Sequence, residues 1–372
     1  MKSERDIVMW LIALACMLLT SCSSSDSAEE QQTNGNSPAI TIYVYSPENP
    51  TLTRSDVGNI NALSDESKVT CLQIWIFDHL TGATVGHLTT SETTALNASQ
   101  GVAYQIPVDD DFARNKPSVD VFVLANVTDA SCGCHFDENS TRANLLDNAK
   151  ISGTFFSLSS KTTTVPFDGL PMVGVLRNQS VIGDAPVLRI GTERQIATVQ
   201  LTRAVSKVRF VFANTTGASM SIKGITMGAE MIPTEEYLIP QSKTPTSYNT
   251  LAVSLLTQPI SEVACVDDPT AYIYGGQTAQ EYETLMNNSG LTIVGPYYLR
   301  ESDKRLAGQI TYKIGSNDEA VANYQMERAG DFLRNHSWIV YAYHAGGTTL
   351  QMGNIFVKEW TTKSLDHEVY NW

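Results

Sequence analysis

Residue types that could do chemistry are sparse in this chain, and where they cluster their spacing does not suit the common catalytic devices. The stretch "SCGCH" brings Cys132, Cys134 and His135 together in sequence. Thiolates and an imidazole are zinc ligands, but a C-x-C pair lacks the C-x-x-C spacing of zinc knuckles and no second pair follows. A loop, with or without a disulfide formed in an oxidising compartment, is the plainer expectation. "VDDDF" offers the carboxylates of Asp109, Asp110 and Asp111 to calcium, yet it has neither the glycine turn nor the terminal glutamate of an EF-hand loop. A solvated loop is expected there. No G-x-S-x-G, H-E-x-x-H or G-x-x-x-x-G-K-[ST] occurs. The histidines, at 79, 87, 135, 336, 344 and 367, are scattered. His336, in "LRNHSW", stands at a strand entrance and reads as a turn or packing residue rather than a general base. No catalytic residue, metal site or cofactor is expected, although residues distant in sequence can converge in space.

Chemistry done to the chain is more legible than chemistry done by it. "MKSERDIVMWLIALACMLLTSC" places Lys2 and Arg5 ahead of an apolar stretch from Ile7 to Leu19. That stretch is short for a membrane span and reads as the core of a signal peptide. It ends in Leu19-Thr20-Ser21-Cys22, which resembles a bacterial lipoprotein lipobox; Cys22 would then carry a diacylglycerol thioether as the new N-terminus. The alternative is a plain secretory signal with an incidental cysteine. The segment "SSSDSAEEQQTNGNSP" that follows is a polar, acidic tether. Further on, Arg54 is the only basic residue between Arg5 and Lys68, and it sits among turn-formers in "ENPTLTRSDVGN". It is either an ordinary surface arginine or a place where the chain is cut.

The elements that must position these residues are mostly strands. Hydrophobic residues make up 42% and charged residues 17%, enough for a substantial core, and Thr, Ser, Val and Tyr outweigh the strong helix formers. In "AITIYVYS", Ile40, Ile42 and Val44 fall on one face of a strand and Thr41, Tyr43 and Tyr45 on the other. "VTCLQIWIF" and "SVDVFVLAN" are apolar on both faces and so belong in the middle of a sheet. "HLTGATVGH", "VAYQIPV", "FDGLPMVGVL", "PVLRIG" and "ATVQLT" supply further strands, and "TRANLLDNAKI" a short helix. A second round starts at "RAVSKVRFVFAN", where Ala204, Ser206, Val208, Phe210 and Phe212 are expected on one face. It continues through "MSIKGITMG", "LTIVGPYYL", "AGQITYKIG", "AVANYQM", "SWIVYAYH" and "GNIFVKEW", with a long irregular connection from 228 to 288 and a short helix at "TAQEYETLMNNSG". Two successive sets of short strands predict an all-β protein of two tandem β-sandwiches, joined near Thr202–Arg203.

The formal net charge of −14 and pI of about 4.8 exclude a nucleic-acid binder, which needs a basic stripe to neutralise phosphates. An acidic surface suits a soluble, mutually repelling exported protein.

In this order, the lipobox cysteine, "AITIYVYS", the arginine-bearing loop, "DESKVTCLQIWIFDHLTG", "VDVFVLAN", "GLPMVG", "LTRAVSKVRFVF", "LRNHSWIVYAY", "VKEW" and the final Trp372 resemble the type V pilins, or fimbrillins, of Bacteroidales. The resemblance runs along nearly the whole chain. It implies two transthyretin-like β-sandwich domains and the following organisation: a lipoprotein signal peptide over 1–21, a lipidated tether and first strand over 22–54 as a propeptide, an N-terminal sandwich over 55–202, and a C-terminal sandwich over 203–372 with a terminal donor segment.

The resemblance also implies a mechanism. Such pilins reach the outer membrane through lipid on the cysteine, here Cys22, and an arginine-specific protease cuts the loop after the first strand, here between Arg54 and Ser55. Loss of Ile40, Ile42 and Val44 opens an apolar groove that a strand of another subunit refills by β-augmentation, growing a filament. The candidate donor is the tail "TTKSLDHEVYNW", with Leu365, Val369, Tyr370 and Trp372, although His367 and Asn371 interrupt its alternation; an imperfect donor would suit a tip or accessory subunit. Partners implied are other fimbrial subunits, the protease, the outer membrane and host surface ligands. The competing expectation is a lipid-anchored protein that binds glycans or host matrix, for which Trp10, Trp75, Trp338, Trp360 and Trp372 are the candidate sugar-stacking residues, or an anchor subunit that keeps its lipid.

Overall fold

The computed structural model describes residues 37–47, 66–99, 101–151, 169–241, 247–266, 291–326 and 332–359, and from Pro38 onward the chain forms one compact unit. It is an all-β protein. In chain order the strands are β1 (Ala39–Tyr45), β2 (Leu72–Asp78), β3 (Thr84–Thr90), β4 (Gly101–Pro107), β5 (Val119–Ala125), β6 (Lys150–Ile151), β7 (Met172–Gln179), β8 (Val181–Asp184), β9 (Val187–Ile190), β10 (Thr198–Gln200) and β11 (Thr202–Arg203). They are followed by β12 (Ser206–Asn214), β13 (Met220–Met227), β14 (Glu236–Tyr237), β15 (Val253–Ser254), β16 (Thr292–Leu299), β17 (Ala307–Ile314), β18 (Ala320–Gln325), β19 (His336–His344) and β20 (Gln351–Glu359).

Two sheets enclose the first core. One has the order β11-β7-β5-β2-β3; the other is built around β1, which pairs with β4, β9 and β10, while β8 extends it beyond β9. β5 is buried along its whole length, as expected for a strand apolar on both faces with neighbours on either side. Gly86 of β3 is needed where the two sheets close on each other: a Cβ there would stand 2.9 Å from Ile106 of β4. The second core lies between the sheets β16-β12-β19-β20 and β15-β13-β17-β18. Val208, Phe210 and Phe212 of β12 point into it, while Val211 and Ala213 are buried on the opposite face with Ile339, Tyr341 and Tyr343.

The expectation that Ala204 continues that same face is corrected. Ala204 packs into the first core, because a bend at Ala204–Val205 breaks the alternation between β11 and β12. The acidic run Asp109–Asp111 is likewise not a plain loop. Asp109 caps a short helix, Asp110–Asn115, by accepting from the Phe112 N–H, and Asp111 pairs with Arg114 one turn on. The expected helix in "TRANLLDNAKI" spans Arg142–Asn148 behind a capping box of Thr141 and Asn144. The segment "TAQEYETLMNNSG" lies outside the described residues.

A buried carboxylate ties the ends of β2, β5 and β7 together. Asp120, 1% exposed, accepts from the Asn178 N–H (2.8 Å) and from Arg142, stands 2.9 Å from His79 Nδ1, and lies 3.4 Å from Arg177. Burial alone would raise its pKa, but the hydrogen bonds from Asn178, His79 and Arg142 and the charge of Arg177 outweigh it and hold the carboxyl below its ordinary value. A depressed carboxyl stabilises the fold above its unfolded pKa of about 3.9 and loses that contribution as pH falls through the folded value. Asp120→Asn is therefore expected to be less stable at pH 7 and to show a shallower acid limb when the unfolding midpoint is followed against pH.

Candidate strand-exchange site

The element just upstream of the arginine-bearing loop is β1, and it is interior to its sheet. One edge pairs antiparallel with β4 over the full strand, from Ala39 opposite Pro107 to Tyr45 opposite Gly101. The other edge is shared by two short parallel partners: β9 holds Ala39–Thr41 and β10 holds Tyr43–Tyr45. Backbone bonds just beyond the strand fix both of its ends, from Ala39 N–H to Pro186 O (2.9 Å), from Val108 N–H to Pro38 O (3.0 Å) and from Leu201 N–H to Tyr45 O (2.8 Å).

Ile40, Ile42 and Val44 lie on the core face as the alternation predicts, and Thr41 between them is buried as well. Ile40, Ile42 and Val44 are buried at 0%, 2% and 0% exposure, opposite Ile106, Tyr104 and Val102 of β4. Each such burial stabilises by about 1.5–3 kcal/mol. On the other face the ring of Tyr45 lies over Gly101, where a Cβ would overlap it. An aromatic covering a cross-strand glycine in this way shields backbone that glycine leaves bare.

One group in the slot is poorly served. The Tyr104 hydroxyl is buried and has no hydrogen-bond partner among the described residues, and burial raises its pKa. An unpaired buried hydroxyl costs about 1–3 kcal/mol. Tyr104→Phe is expected to stabilise the intact chain by about 1 kcal/mol, seen as a higher thermal midpoint; a lower midpoint would mean the hydroxyl is satisfied after all.

The chain between β1 and β2 leaves and re-enters the fold at one place. Gln200 Nε2 donates to Ser46 O (2.9 Å) and Leu201 N–H to Tyr45 O, while Arg203 Nε donates to Glu66 O (2.9 Å). Residues 200–203 thus hold both ends of the segment that carries Arg54 and Ser55, which themselves lie outside the described residues. The downstream end is anchored by charge. Glu66, fully buried, pairs with Lys207 Nζ at 2.9 Å and accepts from the Tyr298 hydroxyl at 2.7 Å, and Arg203 also reaches Ser67 Oγ at 2.6 Å. Lys207 and Tyr298 belong to β12 and β16, so the loop's exit is fastened to the second pair of sheets. The isolated "DESK" that begins this anchor carries no periodic signal, and sequence reasoning missed it.

The remaining candidates are placed as follows. Cys22 and the tail residues Leu365, Val369, Tyr370 and Trp372 lie outside the described residues, as do Trp10 and Trp360. Trp75 and Trp338 are 0% and 3% exposed, inside the two cores and unavailable to stack on sugars. His336 Nδ1 meets the Arg334 carbonyl at 2.8 Å at the start of β19, a turn contact. In "SCGCH", Cys132 Sγ donates to Cys134 O at 3.0 Å and His135 meets Asp129 at 2.9 Å. Cys134 and Cys265 are free thiols. Among the described residues no group of three His, Cys, Asp or Glu side chains could hold a metal ion.

No protein-family model and no curated protein matches the chain. Among solved structures it is similar to a candidate cell adhesion protein from Parabacteroides distasonis, with TM-score 0.52 and 12% identity over 88% of this chain and 98% of that one. Also similar are a candidate cell adhesion protein from Bacteroides eggerthii (TM-score 0.49, 12% identity, 88% and 97% covered) and the C-terminally truncated tip fimbrial protein Mfa3 from Porphyromonas gingivalis (TM-score 0.43, 14% identity, 87% and 99% covered). The first establishes a shared fold along nearly the whole of both chains. That fold agrees with the architecture the fimbrillin resemblance implies.

Proposed function

We propose that the chain is a structural subunit of a cell-surface fimbria, exported as a lipoprotein on Cys22 and assembled by strand exchange after a cut between Arg54 and Ser55. One observation carries this reading: β1 precedes the arginine-bearing loop, is paired along both edges, and plugs the first core with Ile40, Ile42 and Val44. A strand in that position blocks its own groove. While it stays covalently attached, its effective concentration is of the order of millimolar or more, so a strand from another subunit cannot compete. Once the loop is cut, the strand and the groove are separate molecules, and a second strand running antiparallel to β4 can replace it with the same backbone bonds. Each added subunit presents the next groove, a heterologous contact that extends without closing. The shared fold with a candidate adhesion protein supports a structural, non-enzymatic role at the cell surface. The C-terminal tail is the proposed donor, and the partners are other fimbrial subunits and an arginine-specific protease.

Mass spectrometry of surface material tests the proposal. A mature chain that begins at Ser55 is expected. Lipid retained on Cys22 in every surface molecule would overturn it and leave an anchored, non-polymerising protein.

A further inference from the structure

We infer that the end of the first pair of sheets where β1 begins is the docking face for the body of the next copy of this chain, with Leu80 and Val187 as its two apolar contacts. This rests on the strand-exchange reading above and on its donor. It adds the surface against which the donor's second pair of sheets comes to lie.

Strand direction fixes which end is covered. β1 starts at Ala39, opposite Pro107 of β4 and Val187 of β9, and Ala39 N–H donates to Pro186 O (2.9 Å). A strand that replaces β1 antiparallel to β4 must have its own first residue at this end. The chain that precedes it, β20 and the sheets around it, then lies beyond Ala39 rather than beyond Tyr45. The lead is short. Five residues separate Glu359, the end of β20, from Leu365, the first candidate donor side chain, and fully extended they span about 20 Å. The donor's body is therefore held against this end of the acceptor.

This end presents apolar side chains to water. Among the described residues of the first pair of sheets, the exposed large apolar side chains are Tyr45, Leu80 and Val187. Tyr45 is at the far end of β1, over Gly101. Val187, 55% exposed, is the β9 residue opposite Ala39 itself. Leu80, 85% exposed, projects from the β2–β3 turn. That turn reaches the same end: a Cβ on Gly86 would meet Ile106, Pro107 and Val108, the β4 residues that bracket the start of β1. Printed contacts also tie it to the β8–β9 turn. His79 N–H donates to Ser118 O (2.9 Å), and Lys116, two residues earlier, meets the Gly183 carbonyl and Asp184 Oδ1 (2.9 Å).

The turn under Leu80 is well fixed. Asp78 Oδ1 accepts from Thr81 N–H (2.7 Å) and Oγ1 (2.9 Å), while Gly82 donates to Asp78 O (2.8 Å) and accepts from Arg142 N–H (3.0 Å). Docking on so ordered a turn costs little entropy. The charges beside the two apolar residues are already matched. Lys116 meets Asp184, and Arg142 and Arg177 share Asp120, so a partner covers Leu80 and Val187 without desolvating a lone charge. In a chain this acidic such matching matters, because uncompensated carboxylates on facing surfaces repel.

The test is photo-crosslinking in fibres of the matured chain carrying Leu80→p-benzoylphenylalanine, with the captured peptide identified by mass spectrometry. Capture of a peptide from residues 206–359 of another copy is expected. Capture within the first pair of sheets, or none, overturns the docking. Leu80→Asp combined with Val187→Asp should keep the natural thermal midpoint, since both side chains are exposed, and weaken assembly roughly tenfold or more. It should leave unchanged the binding of a synthetic peptide of residues 360–372 to the emptied β1 groove. Undiminished assembly with the peptide still bound refutes the docking face and leaves strand exchange standing. Failure of the peptide to bind the natural matured chain refutes strand exchange and this inference with it.

Discussion

Arg54→Ala is expected to abolish assembly outright. The variant should keep its lipid, show no chain beginning at Ser55, and run as a monomer, because β1 remains attached to the fold whose groove it fills. The size of the effect follows from what the strand does. It supplies the backbone partner for the whole of β4 and β10 and for Val187–Arg189 of β9, and it buries Ile40, Ile42 and Val44. A competing strand offers about the same bonds, so it gains nothing in enthalpy, and the tether gives the resident strand the advantage of being intramolecular. Two measurements separate the cut from damage to the loop. The thermal midpoint of Arg54→Ala should match the uncut natural chain. Inserting the recognition sequence of an unrelated protease beside residue 54 in the variant should restore polymers when that protease is added. Polymers formed by Arg54→Ala without any cut would remove the basis of the mechanism.

Glu66→Leu is expected to cost about 3–5 kcal/mol, the largest effect on stability of any substitution considered. Lys207 and Tyr298 are fully buried and direct their polar atoms at this carboxylate, and Arg203, also fully buried, lies beside it. A well-made buried ion pair adds little over an apolar packing of the same shape, but removing one member leaves the other desolvated and uncompensated. The leucine would leave two cationic side chains in the core with one fewer anion. Glu66→Gln keeps a hydrogen-bond acceptor for Lys207 and Tyr298 and should lose less. The midpoint of denaturant unfolding reads both, and a loss under 1 kcal/mol in Glu66→Leu would mean that the cluster is neutralised by other groups. Glu66 also fixes the downstream end of the arginine-bearing loop to the second pair of sheets, so a cut after Arg54 would leave β2 in place.

Much of the architecture could be read along the chain because strand patterning is local. A side chain's face is settled by whether its neighbours two residues away are apolar, and β1, β2, β5, β13 and β19 all fall where such runs occur. The short elements escaped. β6 and β14 have two residues each and no period to detect, and the helix Asp110–Asn115 hides behind an acidic run that looks solvated until Asp109 is seen capping it. Ala204 was misplaced because a bend of two residues is invisible to a rule that counts alternation.

For the site the division is sharper. Local pattern is enough to show that residues 39–45 make a strand with one apolar face, that a lone arginine follows it, and that the tail carries a comparable but imperfect pattern, since each of these depends only on neighbours in the chain. Tertiary structure alone decided that this strand is interior rather than an edge, that residues 200–203 hold both ends of the loop, and that Glu66 meets Arg203, Lys207 and Tyr298 from 137, 141 and 232 positions away. Partners so distant are chosen by which sheets pack together, and no local propensity encodes that choice. The same holds for Tyr104: its alternation marks it as inward-facing, but only the packed slot reveals that its hydroxyl lacks a partner among the described residues.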